Sequence, residues 1–200
     1  MQPYVEGKRF NWKLGCLIAL GVVVLVAGLT ASFVISNYNR AITLEQEVEK
    51  GWSEVENALK RRYDLIPNLV ETVKGYATHE KGIFTDIANA RKADFGAKTT
   101  KEKAETSSRL EGALSRLLML RENYPQLKAN QNFLQLQTTL EGTENRIAVA
   151  RTRYNEAVKG LNSYVKSFFG RFFATLTGVE EAAYFDIPEG EKEVPKVSFE

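Results

Sequence analysis

Between Tyr124 and Phe169 the apolar residues Leu136, Leu140, Ile147, Tyr154, Val158, Leu161, Val165 and Phe168 recur at threes and fours, with Thr143 and Arg151 filling the two gaps. One helical face is therefore apolar over the whole stretch. Pro125 stands at its start, and only Gly142 and Gly160 weaken it inside. The spacing predicts one long helix. At about 1.5 Å per residue it would run roughly 66 Å, so other helices must lie along it for its face to be buried.

Three further periodic runs supply those helices. Ala41, Leu44, Val48, Trp52, Val55, Leu59, Tyr63 and Ile66 form a stripe, with Glu45, Glu47, Glu49, Glu54 and Glu56 on other faces. The stripe resumes nearly in phase as Leu69, Val70, Val73, Tyr76, Ile83, Phe84 and Ile87. Pro67 removes an amide and disfavours helix at Ile66, while Asp64 is a good N-cap that would place Pro67 in a first turn. A break near 63–66 is expected, with a kinked continuous helix as the alternative. Residues 92–100 lose periodicity and carry Gly96, which reads as a connection. Ala104, Leu110, Ala113, Leu114, Leu117 and Leu118 then define a helix over 101–121. Helices at 41–63, 65–92, 101–121 and 126–169, joined by short turns, predict an all-α fold: an antiparallel up-and-down four-helix bundle.

The chain opens differently. Leu14 to Ile35 are twenty-two residues without a charge, matching the roughly 20 needed to cross a bilayer. A cleaved signal peptide competes with this reading, but the run exceeds a typical h-region of about 7–15 residues and Thr30-Ala31-Ser32 makes a poor cleavage site. Lys8, Arg9 and Lys13 precede the run and only Arg40 soon follows it. The positive-inside bias then puts the N-terminus in the cytoplasm and the body outside, on a single-pass protein of the inner (cytoplasmic) membrane. The expected organisation is a short cytoplasmic segment 1–13, a transmembrane helix 14–36, a bundle 37–170 and an acidic tail 171–200. The tail aromatics Tyr184, Phe185 and Phe199 are expected to dock on the bundle or a partner.

Composition narrows the chemistry. Charged residues make up 26% and the formal net charge is +2, with most of that excess before Ala41, so the body is close to neutral and carries no nucleic-acid signature. The single cysteine, Cys16, lies inside the apolar run and can form no internal disulfide. A metal centre needs three or four clustered ligands, and His79 is the one histidine. Glu-x-x-His pairs, a nucleophile elbow, a phosphate loop and a dinucleotide fingerprint are all absent. The expectation is no enzyme, no cofactor and no metal, with His79 a surface or cap residue.

From Arg61 to Tyr76 the chain reads Arg-Arg-Tyr-Asp-Leu-Ile-Pro-Asn-Leu-Val-Glu-Thr-Val-Lys-Gly-Tyr, which resembles the LemA family of bacterial membrane-anchored helical proteins. The likeness continues through Ala77, His79-Glu80 and Ala90-Arg91. It returns at Tyr124-Pro125-Gln126-Leu127-Lys128-Ala129-Asn130, Phe133, Leu136, Leu140, Glu141-Gly142-Thr143-Glu144-Asn145-Arg146-Ile147, Ala150-Arg151 and Tyr154-Asn155-Glu156-Ala157-Val158. Pro195-Lys196-Val197-Ser198-Phe199 closes it. Arg171-Phe172-Phe173-Ala174 departs from the family, which commonly has a proline-led phrase there. The resemblance implies an N-terminal anchor, an antiparallel bundle and no established enzymatic activity.

One pattern is left over. Glu144, Arg151, Asn155 and Asn162 are spaced seven, four and seven beside the apolar stripe. Solvation alone accounts for such a line in most helices; the alternative is a partly buried network pairing Arg151 or Glu144 with Arg61, Arg62 or Asp64 across the bundle, which would fix register more than add stability. Arg61, Arg62, Asp64, Pro67, Asn68, Glu144, Arg151 and Asn155 are thus the candidate structural or interface residues. The functional expectation is an envelope scaffold or adaptor whose partners are the bilayer and either other copies of the chain or other envelope proteins. An extracytoplasmic ligand sensor is the alternative, with an envelope enzyme third.

Overall fold

A computed structural model describes residues 12–186, and all regular elements within them are helical. Helix α1 (Trp12–Lys74) is followed by α2 (Lys81–Gly96), α3 (Thr100–Met119), a 3-10 turn (Leu120–Glu122), the single-turn α4 (Pro125–Lys128), α5 (Gln131–Lys166) and α6 (Phe168–Thr177). The long apolar N-terminal helix is present as expected: the first part of α1 is long and apolar enough to span a membrane. Its Leu17, Leu20, Val23, Val24, Leu25 and Leu29 are all more than half exposed.

The expected break at 63–66 is absent. Helix α1 passes through Pro67 without interruption, so Asp64 is an exposed mid-helix residue and caps nothing. The lost amide and ring clash of an internal proline cost about 3 kcal/mol. Burial opposes that cost, because Arg62, Ile66, Leu69 and Val73 remain on one inward row across the proline. The chain turns instead at 75–80, after Gly75. His79 lies exposed in that turn.

The expected long helix is also divided. Pro125 opens the short α4, and Asn130, whose side chain accepts the Phe133 amide at 2.9 Å, starts α5 afresh. A second division falls at Ser167, whose hydroxyl caps α6 through the Gly170 amide. A Cβ at Gly170 would collide with the Tyr164 carbonyl, so this turn requires glycine. Gly178, at φ 75°, closes α6 in the left-handed conformation.

Helix α1 packs along α5 and α2 along α3. As α1 is followed from Asn37 through Gly51 and Arg62 to Tyr76, its partners on α5 and its cap run backwards through Tyr164, Tyr154 and Glu144 to Asn130. The helices approach closely at Gly51, where an added Cβ would lie 3.1 Å from the Tyr154 Cα. Two apolar clusters result. The one nearer the span joins Ala41, Val55, Leu59, Ile147, Tyr154 and Val158; the distal one joins Ile66, Leu69, Val73, Ile87, Leu114, Leu117 and Phe133.

Candidate functional site

Between the two apolar clusters lies a layer of charge drawn from four helices. Arg62 of α1 occupies an inward position in the row Val55, Leu59, Arg62, Ile66, Leu69, and its side chain is 0% exposed. One terminal nitrogen donates to both carboxylate oxygens of Glu144 on α5, at 3.3 and 3.4 Å. The other donates to the Ser107 hydroxyl on α3 at 2.7 Å and stands 3.8 Å from the Asp94 carboxylate on α2. Arg151 of α5 donates to the same Ser107 oxygen at 2.9 Å and faces Glu111 at 4.0 Å. Asp94, also fully buried, accepts the Thr106 hydroxyl at 2.8 Å, and its backbone carbonyl accepts the Lys103 ammonium at 2.6 Å.

Such a layer is held together by pairing, since each ion alone would be expensive to take out of water. Burial raises the Glu144 carboxyl above its ordinary range against the pull of Arg62, and burial lowers the Arg151 guanidinium. Every inward charge therefore has an opposite charge from another helix, and a slip of one helix past another would separate them.

Residues 182–185, beyond α6, pack over it. Asn155 grips the Phe185 backbone with both ends of its amide, donating to the carbonyl at 3.0 Å and accepting from the N–H at 2.9 Å. Asn162 treats Ala182 identically, at 2.9 Å in both directions. The Tyr154 hydroxyl donates to the Ala183 carbonyl at 2.8 Å. The Phe185 ring is thereby buried between Trp52, at 6.2 Å, and the Arg151 guanidinium, at 4.8 Å. Phe185 docks on the bundle, Tyr184 is 45% exposed, and Phe199 lies outside the described residues.

Of the residues singled out from sequence, Arg62, Glu144, Arg151 and Asn155 are thus brought together. Arg61, Asp64, Pro67 and Asn68 are exposed. Arg61 lines a shallow cleft between α1 and α5 with Glu54, Arg146 and Arg153. The Asn68 carbonyl accepts the Thr72 hydroxyl. Sequence reasoning missed Asp94 and Ser107. Asp94 continues Ile83, Ile87, Ala90 at helical spacing and Ser107 sits between Ala104 and Leu110, so each was detectable as a polar residue at an apolar-stripe position.

Beside the charge layer a groove of about 810 Å³ opens between α1 and the α2–α3 connection. Trp52, Leu59, Tyr63 and Ala88 form its apolar floor, and Lys60, Arg91, Lys92, Lys98 and Lys103 outnumber Glu56 and Asp64 around it. Phe95 stands at the rim, 82% exposed. Thr99 and Glu102 fix the connection through a capping box, and the amides of Lys98 and Thr99 hold the Glu102 carboxyl below its ordinary range. The Tyr63 hydroxyl is buried without a hydrogen-bond partner among the described residues.

The sequence model of the LemA family matches residues 51–199. The chain is similar to the magnetosome protein MamQ of Magnetospirillum gryphiswaldense, 24% identical over 197 residues, which cover 84% of this chain and 71% of that protein. Magnetosome protein MamQ 2 of Paramagnetospirillum magneticum is 25% identical over 194 residues, 83% and 69% of the two chains. Protein LemA of Metamycoplasma hominis is 23% identical over 170 residues, 84% and 78%.

Proposed function

The chain belongs to the LemA family, and from that membership we propose that it is a non-catalytic envelope scaffold or adaptor. Its body is an antiparallel up-and-down four-helix bundle standing on one span, outside the inner membrane, and its groove holds a segment of another envelope protein or of a second copy. The opposite order of the α1 and α5 pairings supports the bundle topology.

The groove beside α1 carries the adaptor reading. An apolar floor inside a basic rim suits an acidic segment anchored by an apolar side chain, and an exposed ring such as Phe95 is the kind of aromatic that anchors interfaces. The charge layer behind it supplies a rigid wall, because Leu59 and Tyr63 flank Arg62 on the same helix. A photo-crosslinking residue in place of Phe95, in membranes of the cells that make the protein, tests this. A discrete protein adduct that disappears with Lys60→Glu and Lys103→Glu is expected. Adducts no different from those formed at exposed Arg109 would refute the reading.

The groove's volume also falls within the roughly 300–1,000 Å³ of small-ligand sites, which favours extracytoplasmic ligand sensing as the second reading. A small molecule that protects Tyr63 and blocks the Phe95 adduct would select it.

A further inference from the structure

Helix α6 presents three faces. At about 100° per residue, Gly170, Phe173 and Ala174 share the inward sector and Arg171 and Thr175 share a polar one. Phe168, Phe169, Phe172 and Leu176 fall together in an arc of about 100° between those sectors. These four side chains are 87, 56, 65 and 60% exposed. Single exposed apolar residues are ordinary, but three phenylalanines and a leucine on one face of a ten-residue helix form a patch that calls for a cover.

Position identifies the cover. Phe33, two residues before the end of the uncharged run, meets Phe169 at 5.5 Å and Phe173 at 6.3 Å, both edge to face. Just beyond, the Tyr164 hydroxyl donates to the Asn37 carbonyl at 2.8 Å. Helix α6 is therefore fastened beside the outer end of the span. Leu29 and Phe33, 64 and 46% exposed, continue the span's apolar surface directly to Phe169. The Gly170 turn, closed to any side chain, holds α6 in this place.

We propose that α6 is an interfacial membrane helix. Phe168, Phe169, Phe172 and Leu176 enter the headgroup and upper acyl region of the leaflet from which α1 emerges, and Arg171 on the flank meets lipid phosphates. Aromatic rings favour that depth, and a helix apolar on one side lies in its plane. The body thus rests on the bilayer at two points, the span and α6, so that it is held at a fixed tilt. This rests on the reading of residues 14–35 as a span.

The test uses the full chain with Cys16→Ser, carrying one nitroxide label at Phe172→Cys, Thr175→Cys, Phe95→Cys or Val24→Cys. The protein is placed in vesicles of phosphatidylcholine and phosphatidylglycerol, and relaxation by oxygen is compared with relaxation by a water-soluble nickel chelate. The expected oxygen-to-nickel ratio at 172 is several times that at 95 but below that at 24, which lies at the middle of the span, and the ratio at 175 falls between those at 95 and 172. A ratio at 172 equal to that at 95, while 24 reads lipid, overturns the proposal and leaves the span standing. Shielding of 172 from both reagents overturns it as well, showing a protein cover. Water-like values at both 24 and 172 remove the span and the proposal together.

Discussion

Replacing Arg62 by methionine separates a register-setting charge layer from an ordinary polar surface. The substitution keeps an unbranched side chain of similar reach but removes the charge. The Asp94 side chain, 0% exposed, then loses its only ion-pair partner among the described residues, and Glu144 loses two hydrogen bonds. Stripping one partner from a buried pair costs about 3–5 kcal/mol, because the remaining charge stays buried and uncompensated. In a protein of this size each kcal/mol moves the melting temperature by roughly 2–4 °C, so Arg62→Met should melt roughly 6–20 °C below the parent. Circular dichroism melts of the full chain in detergent at neutral pH measure this. Adding Asp94→Leu should recover at least half of the loss, since apolar replacement of a whole buried pair is near neutral or stabilising. Exposed Arg61→Ala should stay within about 0.5 kcal/mol of the parent. Equal melting of Arg62→Met and the parent, or equal losses at Arg61 and Arg62, would refute the reasoning.

Four further outcomes follow from the packing. Leu140→Ala and Ile147→Ala, at 3 and 1% exposure, should each destabilise the bundle by about 2–5 kcal/mol in denaturant titrations; unchanged midpoints would show that another face of α5 is buried. Gly51→Leu, forced against the Tyr154 backbone, should cost about 1–3 kcal/mol, whereas Gly142→Ala, with open space around it, should gain about 0.5–1 kcal/mol. Because burial raises the folded Glu144 carboxyl above its unfolded value, the folded state holds that proton longer. Its contribution to stability should therefore fall as pH rises from about 4.3 through the folded value, and Glu144→Gln should flatten the dependence of melting temperature on pH in that window; parallel profiles would contradict it. His79→Ala should leave melting temperature unchanged, since the imidazole is exposed in a turn; a bound transition metal lost with it would overturn that expectation.

Much of the helical architecture was legible because burial in these helices repeats at threes and fours. The inward row of α1 and that of α5 are visible as apolar stripes, and their polar members Arg62, Glu144 and Arg151 fall in or beside them. The helix ends were less legible. Pro67 is a strong local breaker, yet the row Ile66, Leu69, Val73 buries through it, and tertiary packing outweighs a local preference. Conversely Asn130 and Ser167 start new helices in a stretch whose apolar period never falters, because capping side chains act on one turn and leave the stripe intact. Asp94 was assigned to a connection because Gly96 and the following polar residues dominate that segment. The role of Asn155 and Asn162 was invisible for a different reason: their partners are backbone groups of 182 and 185, and a backbone acceptor leaves no signature in sequence.

The envelope role proposed for the groove depends on which side of the bilayer the body occupies. Thr138 is exposed on α5, away from the groove, and the parent's only cysteine is Cys16. In the Cys16→Ser background, Thr138→Cys should react with a membrane-impermeant maleimide polymer in intact spheroplasts to the same extent as after lysis, shifting the full-length band. Reaction only after lysis would place the bundle in the cytoplasm and contradict the envelope role.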